Sequence, residues 1–341
     1  MDQILKSRYK ISDKISETPF SVTYRGLFIG TDKPVIIKIY KRGTLNSLLI
    51  REMKKKVLGL SLLNHHSVAK LFDGDYGWQG FYYVREQIEG ESLQAIMQRK
   101  GKIDIDKAVA IADQALTALA AAHEKGILHA GLKPTNIFID NQGIVKLTDF
   151  VVQGEIKDSL PQKIFSLMDN GQYTSPEELE GKPLSPAADV FSLGMILYEM
   201  VSGKPALPEH GLAGSIKKLK IDGLIPKEEL APFPQYLKDV LIKSLRKDPL
   251  LRFLTANDFR QSLENKRVIE APVADQELAA IFENIVTQYG GEEIDRNSEV
   301  LQEVGRIEIR WGKEKHRNWI LAVFIAAAVA LGILYAFFFA L

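Results

Sequence analysis

His129-Ala130-Gly131-Leu132-Lys133-Pro134-Thr135-Asn136 is followed by two short apolar runs, Ile137 to Ile139 and Val145 to Leu147, and then by Thr148-Asp149-Phe150. The two runs have the length and composition of short strands. Upstream, Ile105 to Lys125 is a long alanine-rich helical pattern closed by Gly126, and Ser92 is placed to N-cap a shorter helix ending near Gly101. Downstream, helical patterns return at Pro186 to Ser202, Pro234 to Arg246 and Ala256 to Glu264. Toward the N-terminus the signal changes. Val35 to Tyr40 and Phe81 to Val84 are apolar runs suited to buried strands, with one helical pattern, Leu48 to Leu63, between them. A small strand-rich half therefore precedes a larger helical half, an α+β arrangement whose junction makes a cleft suited to a ligand.

Composition sets outer limits. The chain is 46% hydrophobic and 26% charged, which excludes a mainly disordered or collagen-like protein. A net charge of +1 gives no electrostatic footprint for nucleic acid, so no nucleic-acid partner is expected. Cysteine is absent, which rules out disulfides and thiolate metal sites. Met1 to Tyr9 lacks the apolar core of a signal peptide.

The C-terminal end has a different character. Trp319 to Leu341 carries no charged residue and would span about 34 Å as a helix at ~1.5 Å per residue, enough to cross a bilayer. Arg306, Arg310, Lys313, Lys315 and Arg317 precede it and place that flank on the cytoplasmic side. The expectation is a single-pass, tail-anchored protein of the cell membrane, with residues 319–341 as the transmembrane helix. Residues 266–318 read as a juxtamembrane linker, with Ala274 to Tyr289 as an amphipathic helix broken at Gly290-Gly291.

The motifs carry a family resemblance. After the His129 to Asn136 stretch and Thr148-Asp149-Phe150 come Tyr173-Thr174-Ser175-Pro176-Glu177, Asp189-Val190-Phe191-Ser192-Leu193-Gly194 and Asp248-Pro249-Leu250-Leu251-Arg252. Each alone is weak; together, in this order, they are specific. Residues 9–265 resemble the serine/threonine protein kinases, in particular the bacterial membrane-bound group. The resemblance implies a bilobal protein-kinase-like fold, with a β-rich N-lobe over about residues 9–88 and an α-helical C-lobe over about 89–265.

The same resemblance implies roles for individual residues. The phosphate-covering loop aligns on Phe20 and Tyr24, but its three glycine positions are Ser16, Thr18 and Ser21, and Pro19 removes an N–H donor. A close phosphate cradle is therefore disfavoured. Lys38 matches the strand lysine, and the hinge is Glu86-Gln87-Ile88. Nucleotide, if bound, would be held by Lys38, Lys133, Glu86 and Ile88, and magnesium by Asn136 and Asp149. Two residues narrow the adenine pocket: Ile36 stands where the family has alanine, and Arg85 takes the position just before the hinge, either facing the pocket with a partner or pointing to solvent. Spacing from Lys38 and from Leu63-Asn64-His65 puts Lys56 at the helix-glutamate position, with Glu52 one turn earlier as a substitute if the helix shifts. Lys54 to Lys56 otherwise reads as a solvated face. His65-His66 reads as a fold position rather than a metal site.

Reaction-bearing positions are altered more than fold-bearing ones. Gly131 stands at the catalytic base and Ala130 at the preceding arginine; Val151 replaces a glycine, and Asp169-Asn170 the Gly-Thr before the substrate platform. Leu60, Leu71, His129 and Phe150 match the stack joining the lobes, Glu177 and Arg252 a buried ion pair, and Asp189 the brace of the catalytic loop. The leading expectation is a pseudokinase that docks other proteins, among them an active kinase, as a scaffold or allosteric regulator. Two alternatives stay open: an atypical active serine/threonine kinase using ATP and Mg, favoured by Lys38, Lys133, Asn136 and Asp149, and a structural scaffold that binds no nucleotide, favoured by Ile36 and Arg85.

Overall fold

The computed structural model describes residues 3–150, 172–207 and 223–269. Val151, Asp169, Asn170, the helix over Ala274 to Tyr289 and the transmembrane span 319–341 lie outside the described residues. Among the described residues no helix is long and apolar enough to cross a membrane.

The N-terminal part is a six-stranded antiparallel sheet. Its strands are β1 (Gln3–Leu5), β2 (Tyr9–Glu17), β3 (Ser21–Phe28), β4 (Lys33–Lys41), β5 (Leu71–Gly77) and β6 (Gly80–Glu86), in the order β1-β2-β3-β4-β6-β5. Side chains alternate between its faces, as strand geometry requires. Val35, Ile37 and Ile39 of β4 pack with Tyr82 and Val84 of β6, and with Leu5, Tyr9 and Ile11, in an outer core. The intervening residues Ile36, Lys38 and Tyr40, with Arg85, turn toward the cleft. Helix α1 (Ser47–Leu62) begins at Asn46, whose side chain accepts the Leu49 N–H at 2.9 Å, and buries Leu49, Met53, Val57 and Leu60 beneath the sheet. The sheet starts earlier than residue 9, because β1 pairs antiparallel with β2.

The larger part is helical. After a short strand β7 (Gly90–Ser92) come α2 (Leu93–Lys100), capped by Ser92, and α3 (Ile105–His123), capped by Asp104. A 3₁₀ turn over Pro134–Asn136 leads into β8 (Ile137–Asp140) and β9 (Val145–Leu147), which form a small sheet in the order β7-β8-β9. The described helices that follow are α4 (Pro176–Leu179), α5 (Pro186–Ser202), α6 (Lys227–Leu230), α7 (Gln235–Ser244) and α8 (Ala256–Glu264). Helix α5 is buried along nearly its whole length and serves as the central post of this half.

The expected boundary near residue 265 moves outward. The Ile269 N–H donates to Ser262 Oγ at 2.9 Å, the Lys266 ammonium lies 5.7 Å from the Tyr236 ring centroid, and Val268 packs on the core. Residues 266–269 therefore belong to the folded unit rather than to a linker. A bilobal kinase fold, with a curled sheet above and helices below, is the architecture observed.

Candidate functional site: the interlobe cleft

The cleft between the lobes has a volume of about 540 Å³. Its roof is the inner face of β2 to β4, its back is Arg85, and its floor includes Leu132 and Phe138. Lys38, Arg85, Ile88, Ile36, Gly131, Lys133, Asn136 and Asp149 all line it, so the fold brings these separately inferred residues to one place.

The backbone at His129 and Ala130 is firmly braced. Asp189, at the start of α5, accepts the backbone N–H of His129 at 2.9 Å and that of Ala130 at 2.8 Å. The same carboxylate is 2.8 Å from His123 Nε2 at the end of α3. Burial pushes the Asp189 carboxyl up, but the hydrogen bond and charge of His123, with the His129 contacts, hold it below the ordinary carboxylate value. Ala130 and Asp149 adopt φ of +52° and +65°. Non-glycine residues seldom do so, and such conformations persist where surrounding contacts over-determine them. The His129 ring lies 4.5 Å from that of Phe150, and Leu60, Leu71 and Phe150 share one core. Glu177 and Arg252 meet in a bidentate pair at 2.7 and 2.8 Å.

Within this frame the polar groups of the cleft bind one another. Asp149 receives Lys38 Nζ at 2.9 Å on Oδ2 and the Tyr83 hydroxyl at 2.6 Å on Oδ1, and Arg85 Nε lies 3.5 Å from Oδ1. Burial favours the protonated carboxyl, but Lys38, Arg85 and Tyr83 overcome it and hold Asp149 far below its usual range. Burial, with the Asp149 charge beside it, raises the Tyr83 phenol well above its usual value. Asn136 donates to the Gly131 carbonyl at 3.3 Å.

Arg85 faces inward, with only 9% of its surface exposed. Its Nη1 donates to the Glu86 backbone carbonyl at 3.0 Å, and its guanidinium carbon lies 5.8 Å from the Phe138 ring centroid. The Glu86 carboxylate turns away and accepts from Lys146 Nζ at 2.7 Å and the Lys70 N–H at 2.9 Å. Of the two expected hinge contacts, Ile88 lines the cleft, whereas the carbonyl and carboxylate of Glu86 are both used within the protein.

The loop between β2 and β3 also satisfies itself. Thr18 Oγ1 accepts the N–H of Phe20 at 3.2 Å and that of Ser21 at 2.9 Å, so two backbone donors of this loop are taken by one of its own side chains.

Helix α1 supplies no partner to Lys38. Glu52, one turn before Lys56, pairs instead with Lys55 at 2.9 Å, away from Lys38. Lys56 is half-buried beside the helix face formed by Met53, Val57 and Leu60, and among the described residues α1 adds no side chain to the cleft lining. Asp149 takes the role that a helix carboxylate would otherwise fill. The His65 and His66 rings stack at 4.5 Å, and His65 Nδ1 accepts the Ser67 N–H at 3.1 Å. Among the described residues no cluster of three or more acidic or histidine side chains could hold a metal ion.

Sequence reasoning missed Tyr83, Thr18 as an internal acceptor, and His123. Tyr83 was within reach: it lies two residues before Arg85 on the same strand, and period-two alternation puts both on the cleft side.

The protein kinase domain family model matches residues 9–263. The chain belongs to the protein kinase family. Relatives of this kinase domain include a probable serine/threonine-protein kinase of Clostridium perfringens, 30% identical over 77% of this chain and 38% of that protein. They also include PrkC of Bacillus subtilis, 26% identical over 97% of this chain and 52% of that protein, and PknA of Mycobacterium tuberculosis, 28% identical over 79% and 63%. The chain spans about half or less of the length of the first two. Among solved structures, Rad53 residues 1–466 in complex with AMP-PNP superposes with a TM-score of 0.63 at 22% identity, covering 75% of this chain and 64% of that one, a likeness of fold.

Proposed function

We propose that the chain is a membrane-anchored pseudokinase: a kinase domain on the cytoplasmic face that acts as a signalling scaffold or allosteric regulator, with phosphoryl transfer absent or severely impaired. The observation that carries this reading is the state of Asp149. A residue suited to hold magnesium has both carboxylate oxygens engaged by Lys38 and Tyr83, with Arg85 alongside. Gly131 adds no group able to accept a proton, and loss of a general base costs about 10²–10⁴ in rate. The residues present do not fit Mg-ATP as they stand: Asp149, the Glu86 carbonyl and the N–H groups of the β2–β3 loop are bound internally. Membrane attachment rests on the uncharged run from Trp319 to Leu341. Partners would be other proteins, including an active kinase.

The test is phosphoryl transfer by the full chain with Mg²⁺ and γ-labelled ATP. The proposal expects none above background. Robust autophosphorylation that disappears in Asn136→Ala or Asp149→Ala would overturn it. Removal of residues 319–341 should release the protein from the membrane fraction.

A second reading, an atypical active serine/threonine kinase using ATP and Mg, is favoured by one observation: Lys38, Lys133, Asn136 and Asp149 line one cleft. Phosphoryl transfer relies mainly on positioning and charge stabilisation, so the missing base alone does not exclude it. A metal-dependent thermal shift with ATP would favour this reading.

A further inference from the structure

Arg85 makes two contacts of different kinds, one ionic and one a hydrogen bond. Near its stem, Nε lies 3.5 Å from Asp149 Oδ1, and at its tip Nη1 donates to the Glu86 carbonyl at 3.0 Å. Between them the guanidinium lies near the Phe138 ring, with Ile36 paired opposite Arg85 on the neighbouring strand. The planar, donor-rich group therefore occupies the space between roof and floor next to the hinge, where a flat heterocycle would have to sit. It also offers the hinge the kind of donor that a purine amino group would offer.

We infer that Arg85 is the residue that fixes the ligand class of the cleft: its guanidinium is a built-in occupant that excludes purines, and replacing it with a neutral side chain opens the cleft to adenine compounds. The inference goes beyond the pseudokinase reading, because it concerns the heterocycle subsite and not phosphate, metal or the base.

Two features make the inference specific. A purine entering the wild-type cleft must displace Nη1 from a part-buried carbonyl and push a largely desolvated cation away from its carboxylate, both of which are unfavourable. The rest of the cluster does not need Arg85: without it Asp149 keeps Lys38 and Tyr83. Arg85 Nε is buried and makes no hydrogen bond among the described residues, so it is the least well satisfied member of the group.

The experiment is calorimetric titration of the full chain with adenosine in EDTA. Adenosine carries no phosphate and needs no metal, so the result is independent of Gly131, Asn136 and the β2–β3 loop. Wild type and Tyr83→Phe, which disturbs Asp149 but leaves Nη1 on Glu86, should bind weakly and alike. Arg85→Met, which keeps an unbranched stem but removes the charge and the donors, should bind at least about tenfold more tightly. Should Arg85→Met fail to fold, Arg85→Gln carries the same expectation. Equal affinity of wild type and a folded Arg85 variant would overturn the inference. Adenosine binding by wild type as tight as by the Arg85 variant, without phosphoryl transfer, would sink this inference alone. Phosphoryl transfer by wild type would sink the pseudokinase reading.

Discussion

The Tyr83 hydroxyl donates to Asp149 Oδ1 at 2.6 Å, tying the sixth strand of the upper sheet to the loop after β9 in the lower lobe. Lys38 reaches the other oxygen of the same carboxylate from β4. Asp149 is thus an interlobe clasp, held by donors from two strands of the upper sheet.

Removing that hydroxyl should be costly. Tyr83 is fully buried, and a hydrogen bond to a charged group contributes about 1.5–3 kcal/mol. Tyr83→Phe should lower the unfolding free energy by about that amount in urea titrations. A change within about 0.5 kcal/mol would show that the contact adds nothing net.

Restoring one group should not restore chemistry. Gly131→Asp supplies a carboxylate, but Asp149, Glu86 and the β2–β3 loop stay internally bonded. Labelled-phosphate assays should find this variant at background. A gain of about 10²-fold or more over wild type would mean that the base alone was missing.

The Glu177–Arg252 pair should matter for folding. Arg252 is buried, its two terminal nitrogens bond Glu177, and the guanidinium also donates to the backbone carbonyls of Arg246, Lys247 and Ala187. Removing one partner of a buried, hydrogen-bonded pair costs about 3–5 kcal/mol. Arg252→Met should therefore lose soluble, cooperatively unfolding protein, or shift the denaturant midpoint by that equivalent. Glu177→Gln, which keeps shape and one acceptor, should lose less.

Acid should weaken the loop brace. The folded pKa of Asp189 lies below its unfolded value, so its contribution is complete above the unfolded carboxylate value of ~3.9 and is lost as pH falls through the lower folded value. The stability gap between wild type and Asp189→Asn, measured in urea from pH 6 downward, should stay constant to about pH 4 and then narrow. A gap unchanged at lower pH would exclude the charge as the source of the brace.

Much of the fold was legible because its signals are local. The apolar runs Val35 to Tyr40 and Phe81 to Val84 matched β4 and β6, and Ser92 capped the helix assigned to it. Cap chemistry and strand period act over a few residues and survive in a single sequence. The early strand Gln3–Leu5 was not legible, because three residues carry no period and its pairing with β2 depends on a turn at Lys6 and Ser7.

The sequence by itself determined which chemical groups this kinase domain has and lacks: glycine at 131, no glycine at 16, 18 or 21, a lysine at 38, an aspartate at 149 and an arginine before the hinge. Identity is a property of one position. Only the tertiary structure decided what those groups do with one another. Lys38, the Tyr83–Arg85 stretch of β6 and Asp149 come from separate places in the chain, and the choice among the carboxylates within reach of Lys38 depends on distances set by strand register and lobe packing. That packing gave Lys38 to Asp149, left Glu52 paired with Lys55, and, of the two orientations open to Arg85, chose the cleft.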